Sequence, residues 1–376
     1  MAEAKRLWEL EATVPRITTI QAGMLFSVYH NLCGIDEIGQ SYRMQAVALA
    51  HQLHIFDTAV VGKSERLQRG REYTAWALYN WDTLSAFSFM SAPLIKVPPI
   101  WPLPDPTKDA FWYGEVWVNY PSNQGLSPLY MSEVLRERSR FRIIMNEFCN
   151  IAYSEGSKVD LYLAHHFRER LEDWYNNLPE SLTPKRIVLP GQLQIHMYYY
   201  HLLLTIFEPL LDVETEEEPS PRRVVDGAKR NLQTLVRLYF LRHGFEAMDL
   251  FIVIPLMLIG YDSINAINDD TPPSELESLR AILILVAQGL HYQRRNHYLA
   301  QALFRVIRGK MRPQEIELLR NSMAIEAGDI DLDSELAVAV RSQWPVSVVK
   351  RKDDIQSHVL TNLIEDFGDM KVEEEI

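Results

Sequence analysis

The chain has 376 residues, 50 of them acidic against 38 basic, for a formal net charge of −12. That balance opposes a surface made for phosphate backbones, which needs a clustered positive face. Two cysteines, Cys33 and Cys149, exclude a disulfide framework and any zinc site made of four or six thiolates.

From the N-terminus, Met1–Glu9 alternates charge and has no apolar stretch of the kind a secretory leader carries. Apolar residues at helical spacing then predict helices over 16–33, 40–56 and 66–90. Cys33 and Cys149 both fall in such apolar-periodic segments and are read as reduced core thiols. The run Pro98-Pro-Ile-Trp-Pro-Leu-Pro-Asp-Pro106 cannot be helical, because each proline removes a donor and pushes its predecessor out of the α region. It is expected to lie extended over the helices, with Trp101 as an apolar anchor. An aromatic block (Phe111, Trp112, Tyr113, Trp117) and a polar loop, Asn119–Ser127, follow.

Val134, Phe141, Met145, Phe148 and Ala152 share one helical face, as do Leu163, Phe167, Leu171, Trp174 and Leu178. Further helices are predicted over 191–211, 222–242, 249–267, 275–289 and 290–308. Two breaks separate them: the acidic loop 214–220, and Asp269-Asp-Thr-Pro-Pro273, where Thr271 or Ser274 is placed to cap the next helix. Strand signals reduce to Ile187–Leu189, which is too short, and Val346–Val349. The fold class is all-α: a helical region over 1–328, then an acidic extension over 329–376 that docks in part. The longest apolar runs, 250–259 and 281–287, fall short of the ~20 residues a membrane span needs, so the chain reads as soluble and intracellular.

The most informative stretch is Arg69–Asp82 with its exit Ser91-Ala-Pro-Leu-Ile-Lys-Val-Pro-Pro99. A basic start is followed by a helix rich in aromatics, a carboxylate inside it and a proline-bounded end. Arg71, Trp76, Asp82 and Ala92-Pro93, in this order, resemble the signature helix of the middle homology region of fungal binuclear zinc-cluster transcription factors. Three further blocks are similar to that family. Thr19–Leu53 carries Gly34-Ile-Asp36, Tyr42 and Ala46; Trp174 with Leu178-Pro179 and Leu182 forms a second block; Leu193, His196, Tyr199 and Pro209 form a third. Gly289–Met311 is similar to a subgroup related to nitrogen-assimilation regulators.

The resemblance implies a multi-helix bundle of the regulatory-domain type, working in the nucleus on transcription by RNA polymerase II and not as an enzyme. It also implies protein partners, such as a complete zinc-cluster factor or the transcription machinery, and room for a small-molecule effector. The family's zinc cluster needs a Cys-x2-Cys-x6-Cys unit that this sequence lacks. No cofactor is therefore expected in this chain; zinc enters only with a missing zinc-cluster exon, and direct DNA binding is not expected of the chain alone. The opening helices ahead of Thr18 also look missing, which is expected to leave apolar faces in 16–56 uncovered and prone to self-association. The rival reading is a cytosolic helical scaffold with no transcriptional role.

Candidate site residues divide by chemistry. Asp82 on an aromatic helix is either a catalytic or ligand-binding carboxylate or, as burial favours, half of an ion pair with Arg71 or another arginine. Tyr73, Tyr79 and Trp81 are candidates for an effector pocket, although aromatics at this spacing more often build core. His51-x-x-His54-x-x-Asp57 has ligand types, but on a helix Asp57 falls about 240° round from His51. His165-His166 with Glu169 reads as a solvated pair. Asp269-Asp270 lacks the second aspartate cluster that a Mg²⁺ site of helical prenyl-diphosphate enzymes has. No catalytic or metal residues are assigned.

Overall fold

The computed structural model describes residues 1–59, 64–119, 125–154, 156, 158–295 and 297–323. Among them are twelve helices and one two-stranded antiparallel hairpin, so the all-α expectation holds. The span read as one helical region resolves into two compact units. The first is Met1–Tyr29 with Ile38–Ile195; the second is His30–Glu37 with the chain from His196 onward. The extension expected over 329–376 lies outside the described residues.

The first unit opens with α1 (Ala2–Glu11), a helix the sequence reading did not anticipate. Half of its ten residues are charged, and it buries Trp8 alone. That indole packs edge-on against Phe26 of α2 (Ile17–Leu32), at 5.5 Å, and against Tyr42 of α3 (Asp36–Gln52), at 5.3 Å. Gly23 makes the approach possible, since a Cβ there would stand 3.1 Å from both Ala46 and Trp8. Away from α1, Leu25 is 71% exposed and Met44 58%.

Helix α4 (Glu65–Ser88) starts at Ser64, whose hydroxyl accepts from the Leu67 amide, and buries thirteen residues from Arg71 to Ser88. It packs on α5 (Met131–Ala152), and α5 packs on α6 (Leu161–Asn176). The predicted stripes meet there, with Phe141 against Trp174 at 5.0 Å and Phe148 against Phe167 at 5.6 Å. Leu163 is only half-buried, and Ala164 takes the inward position instead. Between α4 and α5 lies the hairpin of β1 (Trp117–Asn119) and β2 (Leu126–Pro128), which the sequence reading missed. Three-residue strands are too short to print a two-residue period.

The N-terminus of α5 is capped from a distance. Tyr130 sits there in a left-handed conformation with no capping side chain, and Glu115 accepts from the Met131 and Ser132 amides and the Ser132 hydroxyl. Burial works against the Glu115 charge. The hydrogen bonds from Ser132 and Met131 prevail and hold its carboxyl below the ordinary range.

The boundary between the units falls inside α7 (Pro190–Phe207). The second unit continues with α8 (Pro221–His243), α9 (Val253–Ala266), α10 (Pro273–Gln293), α11 (Tyr298–Gly309) and α12 (Pro313–Met323). Helix α9 packs on α8, α10 and α11 and is buried without interruption from Val253 to Tyr261. Two glycines allow this closeness. A Cβ at Gly260 would stand 2.6 Å from Ile307, and one at Gly289 2.8 Å from Leu256.

Several predicted boundaries shift for identifiable reasons. Helix α9 starts at Val253, not 249, which puts Pro255 in the first turn where its missing donor costs nothing. Helix α10 runs on to Gln293, whose amide nitrogen donates to the carbonyls of Phe245 and Ala247 while its oxygen accepts from the Asp249 amide. Neither Thr271 nor Ser274 caps α10. The Thr271 hydroxyl instead accepts from the Asn268 amide and donates to Ala266, closing the end of α9. Helix α12 was not anticipated.

Candidate functional site

The signature residues Arg71, Trp76, Asp82 and Pro93 all sit in the first unit, Asp82 and the Pro93 exit at one junction and Arg71 and Trp76 at others. Asp82 is fully buried. One carboxylate oxygen accepts from the Ile95 amide at 2.8 Å; the other lies 3.2 Å from an Arg43 guanidinium nitrogen. The proline-bounded exit, with Pro93 buried, turns the chain so that the Ile95 amide meets the carboxylate. The ion-pair reading of Asp82 therefore holds, and its partner is Arg43 of α3, not Arg71.

Burial pushes the Asp82 carboxyl above its ordinary range against the pull of Arg43, and burial lowers Arg43 against the pull of Asp82. In both groups desolvation outweighs mutual attraction, as expected of a buried pair that fixes register more than it adds stability. Asn146 of α5 completes the junction by donating to the Thr83 hydroxyl and the Ile95 carbonyl.

Arg71 has another task. Its guanidinium donates to the carbonyls of Leu53 (2.7 Å), His54 (3.3 Å) and Thr58 (3.4 Å), just past the end of α3. A cation there satisfies orphan carbonyls and opposes the helix dipole. Trp76 donates its indole N–H to the Trp101 carbonyl at 3.0 Å, and Trp101 donates its own to Ile55 at 2.6 Å. The proline-rich segment is thus tied to α4 by the Trp76 indole and to the turn after α3 by the Trp101 indole, with Trp101 the anchor the sequence suggested. His54 and Asp57 lie in that turn, exposed and 3.7 Å apart, and not on a helix with His51.

The three aromatics considered for an effector pocket are not gathered in one place. Tyr79 is fully buried in the core, edge-on to Trp76 at 5.8 Å. Trp81 is half-buried and donates to the Ser27 hydroxyl. Tyr73 alone reaches a cleft, of about 600 Å³, which it lines with Gln21, Arg66, Arg69, Phe111 and Trp112, among others. Tyr73 and Trp112 meet edge-on at 5.3 Å. The cleft was not read from the sequence. Its signal was the Phe111-Trp112-Tyr113 triplet, which comes next to Tyr73 only through the fold.

The remaining signature residues lie in helices or at short turns. Trp174 and Leu178 are buried and Pro179 is half-buried, leading into a single 3-10 turn at Glu180–Leu182. In the second unit His196 and Tyr199 are buried on α7, and Pro209 lies in a 3-10 turn, Glu208–Leu210. Cys149 is buried and its thiol is raised by burial; Cys33, read as a core thiol, is only half-buried. Asp269 pairs with Arg312 at 2.9 Å, and Asp270 donates its amide to Asn268. His165 accepts from Arg168. Among the described residues no group of three or more His, Cys, Asp or Glu is placed to hold a metal ion. No helix among them is long and apolar enough to cross a membrane.

Comparison with known proteins agrees with the resemblance seen in the sequence. The chain is 27% identical over 260 residues, 63% of its length, to the nitrogen assimilation transcription factor nit-4 of Neurospora crassa. It is 26% identical over 267 residues, 65% of its length, to the nitrogen assimilation transcription factor nirA of Emericella nidulans. These matches span 23% and 30% of the two relatives, so the chain corresponds to less than a third of either. No protein-family model and no solved structure matches.

Proposed function

We propose, from the premise that this chain is a relative of fungal nitrogen assimilation transcription factors, that it is the helical regulatory region of such a factor. In this reading it controls transcription by RNA polymerase II in the nucleus, acts through protein partners and does no catalysis. The observation that carries the proposal is the similarity to two transcription factors over about two thirds of the chain. The α4 construction supports it. Asp82, Arg43 and the Ile95 amide hold α3, α4 and the proline-bounded exit in one register, which suits a rigid frame presenting a surface.

This sequence has two cysteines, so DNA recognition through a thiolate zinc cluster is assigned to a partner or to sequence outside this chain. A fusion to a heterologous DNA-binding domain, in a fungal strain carrying its reporter, tests the reading. Reporter output is expected to change, with the fusion enriched in nuclei. Unchanged output together with uniform cytosolic distribution would sink the proposal and favour a scaffold.

A further inference from the structure

The cleft beside Tyr73 has the make-up of a protein–protein contact. Its lining includes Tyr73, Phe111, Trp112, Arg66 and Arg69, the residue types that concentrate binding energy at interfaces. Phe111 is 89% exposed and Tyr73 39%, so two large rings of the cleft reach solvent. Gly70 lines the same cleft, and a Cβ built on it would meet nothing within 4 Å, so the α4 wall is open there.

The charges are unevenly settled. Arg69 is held between Glu65 at 3.0 Å and Asp109 at 3.5 Å. Arg66, exposed one turn from Gly70, has no carboxylate partner among the described residues. The cleft therefore offers an aromatic floor and an uncompensated guanidinium at the rim, on a chain whose net charge is −12. An arginine fork binds a carboxylate bidentately, and the rings accept an apolar side chain edge-on or stacked.

We infer that this cleft docks a short segment of a partner protein in which acidic residues alternate with aromatic or aliphatic ones. The acid pairs with Arg66 and the apolar anchor sits against Tyr73, Phe111 and Trp112. A single-stranded nucleic acid also uses rings and arginines, but it needs an extended positive groove. Here Glu65 and Asp109 stand beside Arg69 and interrupt any continuous positive track, leaving room for a single carboxylate contact and not for a phosphate backbone. The inference goes beyond the regulatory proposal and is independent of the reporter result.

The test is fluorescence polarisation with the full chain and a short labelled peptide alternating Asp with Phe and Leu. Saturable binding is expected, weakened about tenfold or more by Phe111→Ala and by Arg66→Glu. Both residues are exposed, so these variants keep the fold. Tyr162→Ala, which removes another exposed ring, on α6, should leave binding unchanged. Replacing every Asp of the peptide by Lys should abolish it. Any one of three results overturns the proposal: no saturable binding, wild-type affinity in either cleft variant, or displacement of the peptide by a single-stranded oligonucleotide at equal concentration.

Discussion

The two units solve the same packing problem with opposite chemistry. Around α4 in the first unit, helices are held by buried polar groups: Asp82 with Arg43 and the Ile95 amide, Arg71 with three carbonyls, Asn146 with Thr83. Around α9 in the second unit, the buried run Val253–Tyr261 packs hydrocarbon on hydrocarbon, with closeness from Gly260 and Gly289, and the half-buried pair of Asp262 with Lys229 of α8 is a polar exception. Directed polar contacts permit one register and fail abruptly when a member is lost. Hydrocarbon contacts tolerate repacking and lose stability in proportion to the volume removed.

The contrast is best broken at Asp82. Asp82→Ala leaves the Arg43 guanidinium buried without its carboxylate and is expected to cost about 4 kcal/mol. Asp82→Ala with Arg43→Met should recover much of that, so chemical denaturation of the single and double variants checks coupling as well as size. In the second unit Leu283→Ala is expected to cost about 3 kcal/mol with no pH dependence, because only a cavity is made.

Acid sharpens the comparison further. His297 at the start of α11 is buried, and burial lowers it from 6.5 to about 4. Between those values the unfolded chain binds a proton that the folded chain refuses. Stability is therefore full above about pH 6.5 and falls as pH drops toward 4, by roughly 3 kcal/mol. His297→Gln should flatten that slope in denaturation curves measured across the window.

Smaller effects belong to the ends of elements. Arg71→Met, which keeps the stem and removes the donors, is expected to cost about 2 kcal/mol and to speed amide exchange just after α3. Phe111→Ala should change stability by less than about 0.5 kcal/mol. A larger loss there would mean that the ring supports the fold and not a partner.

What was legible in the sequence follows the range of the physics. Helical stripes such as Phe167, Leu171 and Trp174 are local and were read directly, because burial repeats with the helix period. The α4 signature is legible as a resemblance, and the cost of burying a lone carboxylate on an aromatic helix is what points Asp82 to an ion pair. The partner was missed because nothing in the spacing links Arg43 to a residue 39 positions away. The cleft at Tyr73 stayed hidden for the same reason, since Phe111 and Trp112 join it across a proline-rich crossing. Helix α1 and the hairpin were missed because one buried residue, or three strand residues, leaves no period to detect.

The strap through Trp101 makes the molecule report on itself. Both indoles donate to carbonyls, Trp76 to the strap and Trp101 to the turn beyond α3, so lifting the strap would wet two fluorophores at once. A red shift in intrinsic emission that precedes loss of helical circular dichroism would time the peeling of that segment against the melting of the helices beneath it.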